Sequence, residues 1–270
     1  MRKTTIAAAV VAGLCCALAG ARHITPTSAV REIYVEAIVI DSSAYSSGFD
    51  SDVSRSENLY PFNRKLDRFL SLGLQNVTMF ASQNSAITSS AVSAVIVSDE
   101  TVSCPSPGMT YGYSRGLLDT TCTVARPTRY RLNATLTVLT EGTGNSCRTD
   151  VALTGQDGAV FSVARTTAGQ SVHVLSGVIP PGTYRVRSTT DASSQTTKSP
   201  ITRRGRAVAD FTLSFYCLAD FDASGFVDID DYSSFIAAFE RGDPEADIDL
   251  TGFVDTDDFT AFVTAFIDAC

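Results

Sequence analysis

The chain has 270 residues, of which 44% are hydrophobic and 19% charged, with a formal net charge of −8. That is a globular composition with room for one or two domains. The acidic balance argues against nucleic acid as a partner, because phosphates call for Lys and Arg, and no apolar run reaches the ~18 residues of a membrane-spanning helix.

Residues 1–21 read as a secretory signal peptide. Arg2 and Lys3 supply a positive start, residues 6–18 form a short apolar run, and Ala19-Gly20-Ala21 is a small-residue cleavage site. Cys15 and Cys16 lie inside the run, but Leu14 is too bulky for the usual lipid-anchor cleavage position. The expected location is extracellular or at the cell surface, where thiols meet an oxidising environment.

Residues 22–216 predict a domain of short strands. EIYVEAIVI (32–40), VSAVIV (92–97), ATLTVL (134–139) and FTLSF (211–215) are rich in β-branched and aromatic residues. Turn signals separate them: GQDG at 155–158 and PPGT at 180–183, where Pro then Gly suits a type II turn. Residues 63–74 carry the one weak helical pattern. The expectation is an antiparallel β-sandwich, jelly-roll-like, with its last strand ending at Tyr216.

Chemistry-bearing residues are sparse in this domain. His23 and His173 have no visible partners, and His173 is expected to point outward from a strand. No G-x-S-x-G elbow, phosphate loop or zinc spacing is present. Glu32, Glu36, Glu57, Glu100 and Glu141 are candidates for a glycosidase pair. Glu32 and Glu36, however, would stand about 13 Å apart along a strand. Asp99 and Glu100 would point to opposite faces, so all read as solvated charges. Tyr111 and Tyr113 are expected on a loop, as a small platform for glycan contact. Cys104 and Cys122 bracket a Pro/Gly-rich stretch and form the expected disulfide, with Cys122–Cys147 as the competing pairing.

Charge changes abruptly at residue 217. Residues 217–270 hold 14 Asp and Glu against one Arg, a net of −13, while the remainder is net positive by 5. These acids are ordered. ADFDASGFVDIDDY (219–232) returns as ADIDLTGFVDTDDF (246–259), 27 residues later. Counting Asp220 and Asp247 as position 1, oxygen side chains fall at 3 (Asp222, Asp249), 5 (Ser224, Thr251), 9 (Asp228, Asp255) and 12 (Asp231, Asp258). Glycine stands at 6, and Phe226 and Phe253 at 7 would offer backbone carbonyls. This is the ligand spacing of a twelve-residue calcium loop. Calcium is a hard cation that takes six to eight oxygens at about 2.3–2.6 Å, and a chain curling round it presents alternate side chains. After each loop an apolar face runs i, i+3, i+4, i+7: Tyr232, Phe235, Ile236, Phe239 and then Phe259, Phe262, Val263, Phe266. Two calcium ions and two short helices are expected.

With two loop-helix (F-hand) halves and Asp at position 12, residues 217–270 resemble a type I dockerin, over about a fifth of the chain. Cys217 and Cys270 bound the module, as in the cysteine-bounded form of that family. At positions 10 and 11, usually small hydroxyl residues in the family, stand Ile229-Asp230 and Thr256-Asp257. The resemblance implies calcium-dependent docking to a cohesin-like module on a scaffold or cell-surface protein. A pseudo-twofold pair would also bring Cys217 and Cys270 together as a clasp. The reading is therefore a secreted, non-catalytic protein whose sandwich is docked by a calcium module and either binds polysaccharide or serves a structural role in an extracellular assembly. Two rivals stand beside it: a dockerin-borne polysaccharide-degrading enzyme, and a calcium-stabilised cap without a partner.

Overall fold

The computed structural model describes residues 23–197 and 200–268; residues 1–21, expected as a signal peptide, and Cys270 lie outside them. Twelve strands come first: β1 (Thr25–Asp41), β2 (Ser46–Ser56), β3 (Phe62–Leu72), β4 (Gln75–Ile87), β5 (Ala91–Cys104), β6 (Gly108–Val124), β7 (Thr128–Glu141), β8 (Asn145–Gly155), β9 (Gly158–Arg165), β10 (Gly169–Ile179), β11 (Gly182–Thr196) and β12 (Ile201–Tyr216). Helices α1 (Ile229–Glu240) and α2 (Thr256–Ile267) follow, joined through a 3-10 turn at Pro244–Ala246.

The strands form two six-stranded antiparallel sheets, in the orders β2-β1-β6-β11-β8-β9 and β10-β7-β12-β5-β4-β3. The pairs β5–β12, β6–β11, β7–β10 and β8–β9 are the rungs of one folded-back ribbon. Rolled into two facing sheets, that ribbon is a jelly roll. β1–β2 widens one sheet and β3–β4 the other.

Burial alternates along the strands as a half-buried sheet requires. In β1, Ile33, Val35, Ala37 and Val39 are fully buried while Glu32, Tyr34, Glu36 and Ile38 lie on the other face. Two apolar clusters fill the space between the sheets, one around Leu118, Leu132 and Phe211, the other around Val35, Met79 and Val102. Buried polar side chains also lie between the sheets. Ser98 Oγ stands 2.8 Å from Thr190 Oγ1, and the Ser194 hydroxyl donates to Glu100.

Several expectations are corrected here. Residues 63–74 are not helical: Leu66, Phe69 and Leu70 mimic a helical spacing, but the segment is an edge strand, β3, paired along its length with β4. The stretch 105–121 is not a loop, because all but its first three residues belong to the 17-residue strand β6. Its glycines read as turn signals, yet they sit where the sheets approach closely. A Cβ at Gly116 would come within 2.2 Å of Ile96 Cγ2, and one at Gly112 within 3.0 Å of Val77 Cγ1.

That strand also removes both expected sandwich disulfides. Cys104 ends β5 at the turn, whereas Cys122 lies 14 residues beyond Gly108, which is about 45 Å along an extended strand. Cys147 stands beside Ala192, at the level of Ser114, about 27 Å along the strands from Cys122. Cys104, Cys122 and Cys147 are free and buried. Burial pushes the thiols of Cys122 and Cys147 up to about 11. Cys217 is disulfide-bonded; its expected partner, Cys270, is among the residues not described.

Candidate metal centre

Each acidic loop closes on itself in the same way. Position 12 is the hub. Asp231 Oδ1 accepts from the Asp222 amide at 3.0 Å and its Oδ2 from the Asp228 amide at 2.8 Å. Asp258 repeats this with the Asp249 amide at 3.0 Å and the Asp255 amide at 2.9 Å. Position 6 supplies the turn. Gly225 and Gly252 have φ of 91° and 88°, a region that favours glycine. Their amides donate to Asp220 Oδ2 and Asp247 Oδ2, each at 2.9 Å. Ala223 and Leu250, at position 4, also have positive φ.

Three carboxylates converge in each loop: Asp220, Asp222 and Asp231 in the first, Asp247, Asp249 and Asp258 in the second. One oxygen from each lies within 4.8 Å of the others. Asp220 is 3% exposed, and Asp231 and Asp258 are fully buried. Asp220 Oδ1 and Asp247 Oδ1 are sealed from solvent and have no hydrogen-bond partner. Burial, with Asp231 and then Asp222 nearby, pushes the Asp220 carboxyl up to about 6. A sealed, orphaned oxygen among like charges is costly, and a hard divalent cation with oxygen ligands removes that cost in both loops. The donor set fits such an ion.

The other expected ligands are placed as follows. Asp228 and Asp255 are the N-caps of α1 and α2, each in a capping box with position 12. Ser224 Oγ donates to the Phe226 carbonyl at 3.4 Å, which brings positions 5 and 7 of the first loop together. The Thr251 amide donates to Asp249 Oδ1 at 3.1 Å. The rings of Phe226 and Phe253 point to solvent, 70% and 75% exposed, leaving position 7 to act through its backbone.

The helices bury their aromatic faces against each other. Phe235 and Phe262 are fully buried and stacked, centroids 4.0 Å apart. Tyr232 meets Phe266 at 6.2 Å, and Phe239 meets Phe259 at 6.1 Å. These are equivalent pairs under the 27-residue repeat, so a pseudo-twofold axis runs through the Phe235–Phe262 stack.

Within the sandwich, Tyr111 and Tyr113 lie on β6 and not on a loop. With Tyr34 on β1 they occupy one face of the sheet. Tyr113 is 6.0 Å from Tyr34, and its hydroxyl donates to Asp191 at 2.8 Å, while the Tyr34 hydroxyl donates to Glu36. His173 is half-buried on the side of Leu175, while Val172 and Val174 face solvent, the reverse of the expected alternation. His23 lines a cavity of about 460 Å³ between α2 and the β6–β7 turn, with Arg126 and Asp268. Glu100 is no solvated charge: it is 1% exposed, and burial pushes its carboxyl up to about 8. One signal in the sequence was available, since Glu100 shares its parity with the buried Val92, Ala94, Ile96 and Val102. The ion pairs of Asp99 with Arg204 and Arg206 fix the opposite, outward parity.

No protein-family model matches the sequence, and no curated protein matches it either. Among solved structures, the enzymatically active domain of tailspike protein 4 from bacteriophage CBA120 is 15% identical. That alignment covers 56% of this chain and 19% of that one, with a TM-score of 0.20. The structure of infectious bursal disease virus, Gt strain, is 10% identical over 71% of this chain and 56% of that one, with a TM-score of 0.22.

Proposed function

We propose that residues 217–270 bind two calcium ions, one per loop, and that the loaded module docks a secreted, non-catalytic sandwich onto a cohesin-like or cell-surface protein. The observation that carries the metal reading is the pair of buried, unpartnered oxygens, Asp220 Oδ1 and Asp247 Oδ1, on residues that each bring one carboxylate oxygen within 4.8 Å of oxygens from two further carboxylates. Calcium would be held by Asp220, Asp222, Ser224, the Phe226 carbonyl, Asp228 and Asp231, and by Asp247, Asp249, Thr251, the Phe253 carbonyl, Asp255 and Asp258. Its role is structural: it neutralises the clustered charge and holds the loops that orient α1 and α2.

Docking is supported by exposed apolar side chains on the metal-holding segments, Phe226 at 70%, Ile229 at 68% and Phe253 at 75%. The non-catalytic reading is supported by the sealing of Glu100 from solvent. The tyrosines on the β1–β6 face, beside Glu36 and Asp191, offer rings and carboxylates to a polysaccharide. Calorimetric titration of the mature chain with calcium tests the metal reading, with two bound ions expected. The same protein is then passed over an immobilised cohesin module with calcium and with chelator. Retention only with calcium supports docking; no retention in either leaves the cap reading.

A further inference from the structure

The two loops have nearly the same internal geometry but different surroundings. The first loop lies against the sandwich. Arg129, on β7, stands in register with Tyr216, the last strand residue before the module. It is 6% exposed. Its guanidinium carbon sits 4.0 Å from the ring centre of Phe221, the residue between the aspartates at positions 1 and 3. Its Nη1 donates to the Glu245 carbonyl at 3.3 Å, and the Ser176 hydroxyl on β10 donates to the Glu245 carboxylate. Asp220, Asp231 and Glu245 are the acids whose charges act on Arg129. Phe221, Asp222 and Ala223 line one side of a cleft of about 390 Å³, and Arg129, Arg131, Val174 and Ser176 line the other.

The second loop has no such neighbour. Among the described residues, no hydrogen bond, ion pair or ring contact joins residues 247–258 to the sandwich. Yet the bonds made by positions 6 and 12 match those of the first loop within 0.1 Å: 3.0 and 3.0 Å to Oδ1 of position 12, 2.8 and 2.9 Å to its Oδ2, and 2.9 and 2.9 Å from the glycine amide. The loops differ inside at position 5, where Ser224 bonds to Phe226, and differ most in what lies outside them.

A buried guanidinium needs acids around it, and a cluster of buried acids needs a cation. In the first loop the guanidinium lies over Phe221, between Asp220 and Asp222 in the chain, so its charge stands beside the acid cluster without bonding to it. Arg129 also covers the Phe221 ring, an arrangement that strengthens when water is excluded. We propose that Arg129 is a resident cation for the first loop and keys the module onto the sandwich. The first loop then keeps its closed form and its seat without metal, whereas closure of the second loop depends on metal alone. This rests on the calcium reading for the role of metal, but not for the role of Arg129.

The test is hydrogen exchange on the full mature chain, comparing residues 219–231 with 246–258 after correction for intrinsic rates. In chelator the first loop is expected to exchange about tenfold more slowly than the second, as a locally more stable segment does. Calcium should bring both to similar protection. R129M keeps an apolar stem over Phe221 but removes the charge, so the first loop in chelator should fall to the rate of the second while β1 is unchanged. R129K should restore part of the difference. Equal exchange of the two loops in wild-type chelated protein overturns the proposal without reference to any variant, and so does an unchanged first loop in a folded R129M. If calcium slows neither loop, the metal reading fails, and the chelator comparison still decides on Arg129.

Discussion

The rings of Phe235 and Phe262 lie parallel, 5° apart and 4.0 Å between centres, on the axis that relates the two loop-helix halves. Neither helix could bury its aromatic face alone. Each is 12 residues long, which is marginal for an isolated helix in water. The stack is the point at which each half depends on the other.

Phe235→Ala should therefore uncouple the halves. Truncating a buried Phe costs about 3–5 kcal/mol, a large share of what a module this small can hold. Calorimetry on the full chain should show the module's transition lost or moved well below the sandwich's, and the sandwich's unchanged. An unaltered low-temperature transition would remove the stack from its central role.

The metal reading makes a separate demand. Thirteen net negative charges sit in residues 217–270, and two calcium ions offset four of them. Self-repulsion opposes folding without metal. At free calcium 100 times the dissociation constant, each site adds about 2.7 kcal/mol. Chelator should lower the melting temperature of the module and leave the sandwich in place. Asp220→Ala with Asp247→Ala should give the chelated melting curve at every calcium concentration. A wild-type module that melts at one temperature in calcium and in chelator would end the calcium reading.

The loops were legible in the sequence because the same polar residues and glycine recur at the same spacing in two copies 27 residues apart. The sandwich class was legible from strand composition. What was not legible depended on the second sheet. Gly112 and Gly116 look like turn residues until Val77 and Ile96 are seen pressing on them. Cys104 and Cys122 look bridgeable until the segment between them extends as a strand. Arg129 carries no local signal at all, because its partners Phe221 and Glu245 are roughly a hundred residues away.

The three sandwich thiols should behave as buried groups. Cys104, Cys122 and Cys147 are at most 5% exposed, and burial pushes all three up, so little thiolate is present near neutral pH. Alkylating reagent should leave them untouched in the native chain and label all three after denaturation. Mass mapping of the non-reduced protein should find no Cys104–Cys122 or Cys122–Cys147 peptide. Recovery of either would contradict the strand register.

Glu100 should give the sandwich a pH-dependent stability. Its carboxyl is held at about 8, mainly by burial, with the Asp99 charge adding to it and the Ser194 hydrogen bond opposing. The unfolded chain titrates near the ordinary value of 4.5. Between these values the folded state carries a proton that the unfolded state has released, so unfolding becomes easier as pH rises. The contribution is fully present below pH 4.5 and is lost towards pH 8, at a slope of about 1.4 kcal/mol per pH unit. Glu100→Gln keeps the shape of the protonated acid and does not titrate. Denaturant unfolding of the sandwich from pH 5 to pH 8 should show wild type falling relative to E100Q, with E100Q the more stable at pH 8. Parallel curves for the two proteins would mean that Glu100 meets water or a cation that the buried polar layer does not reveal.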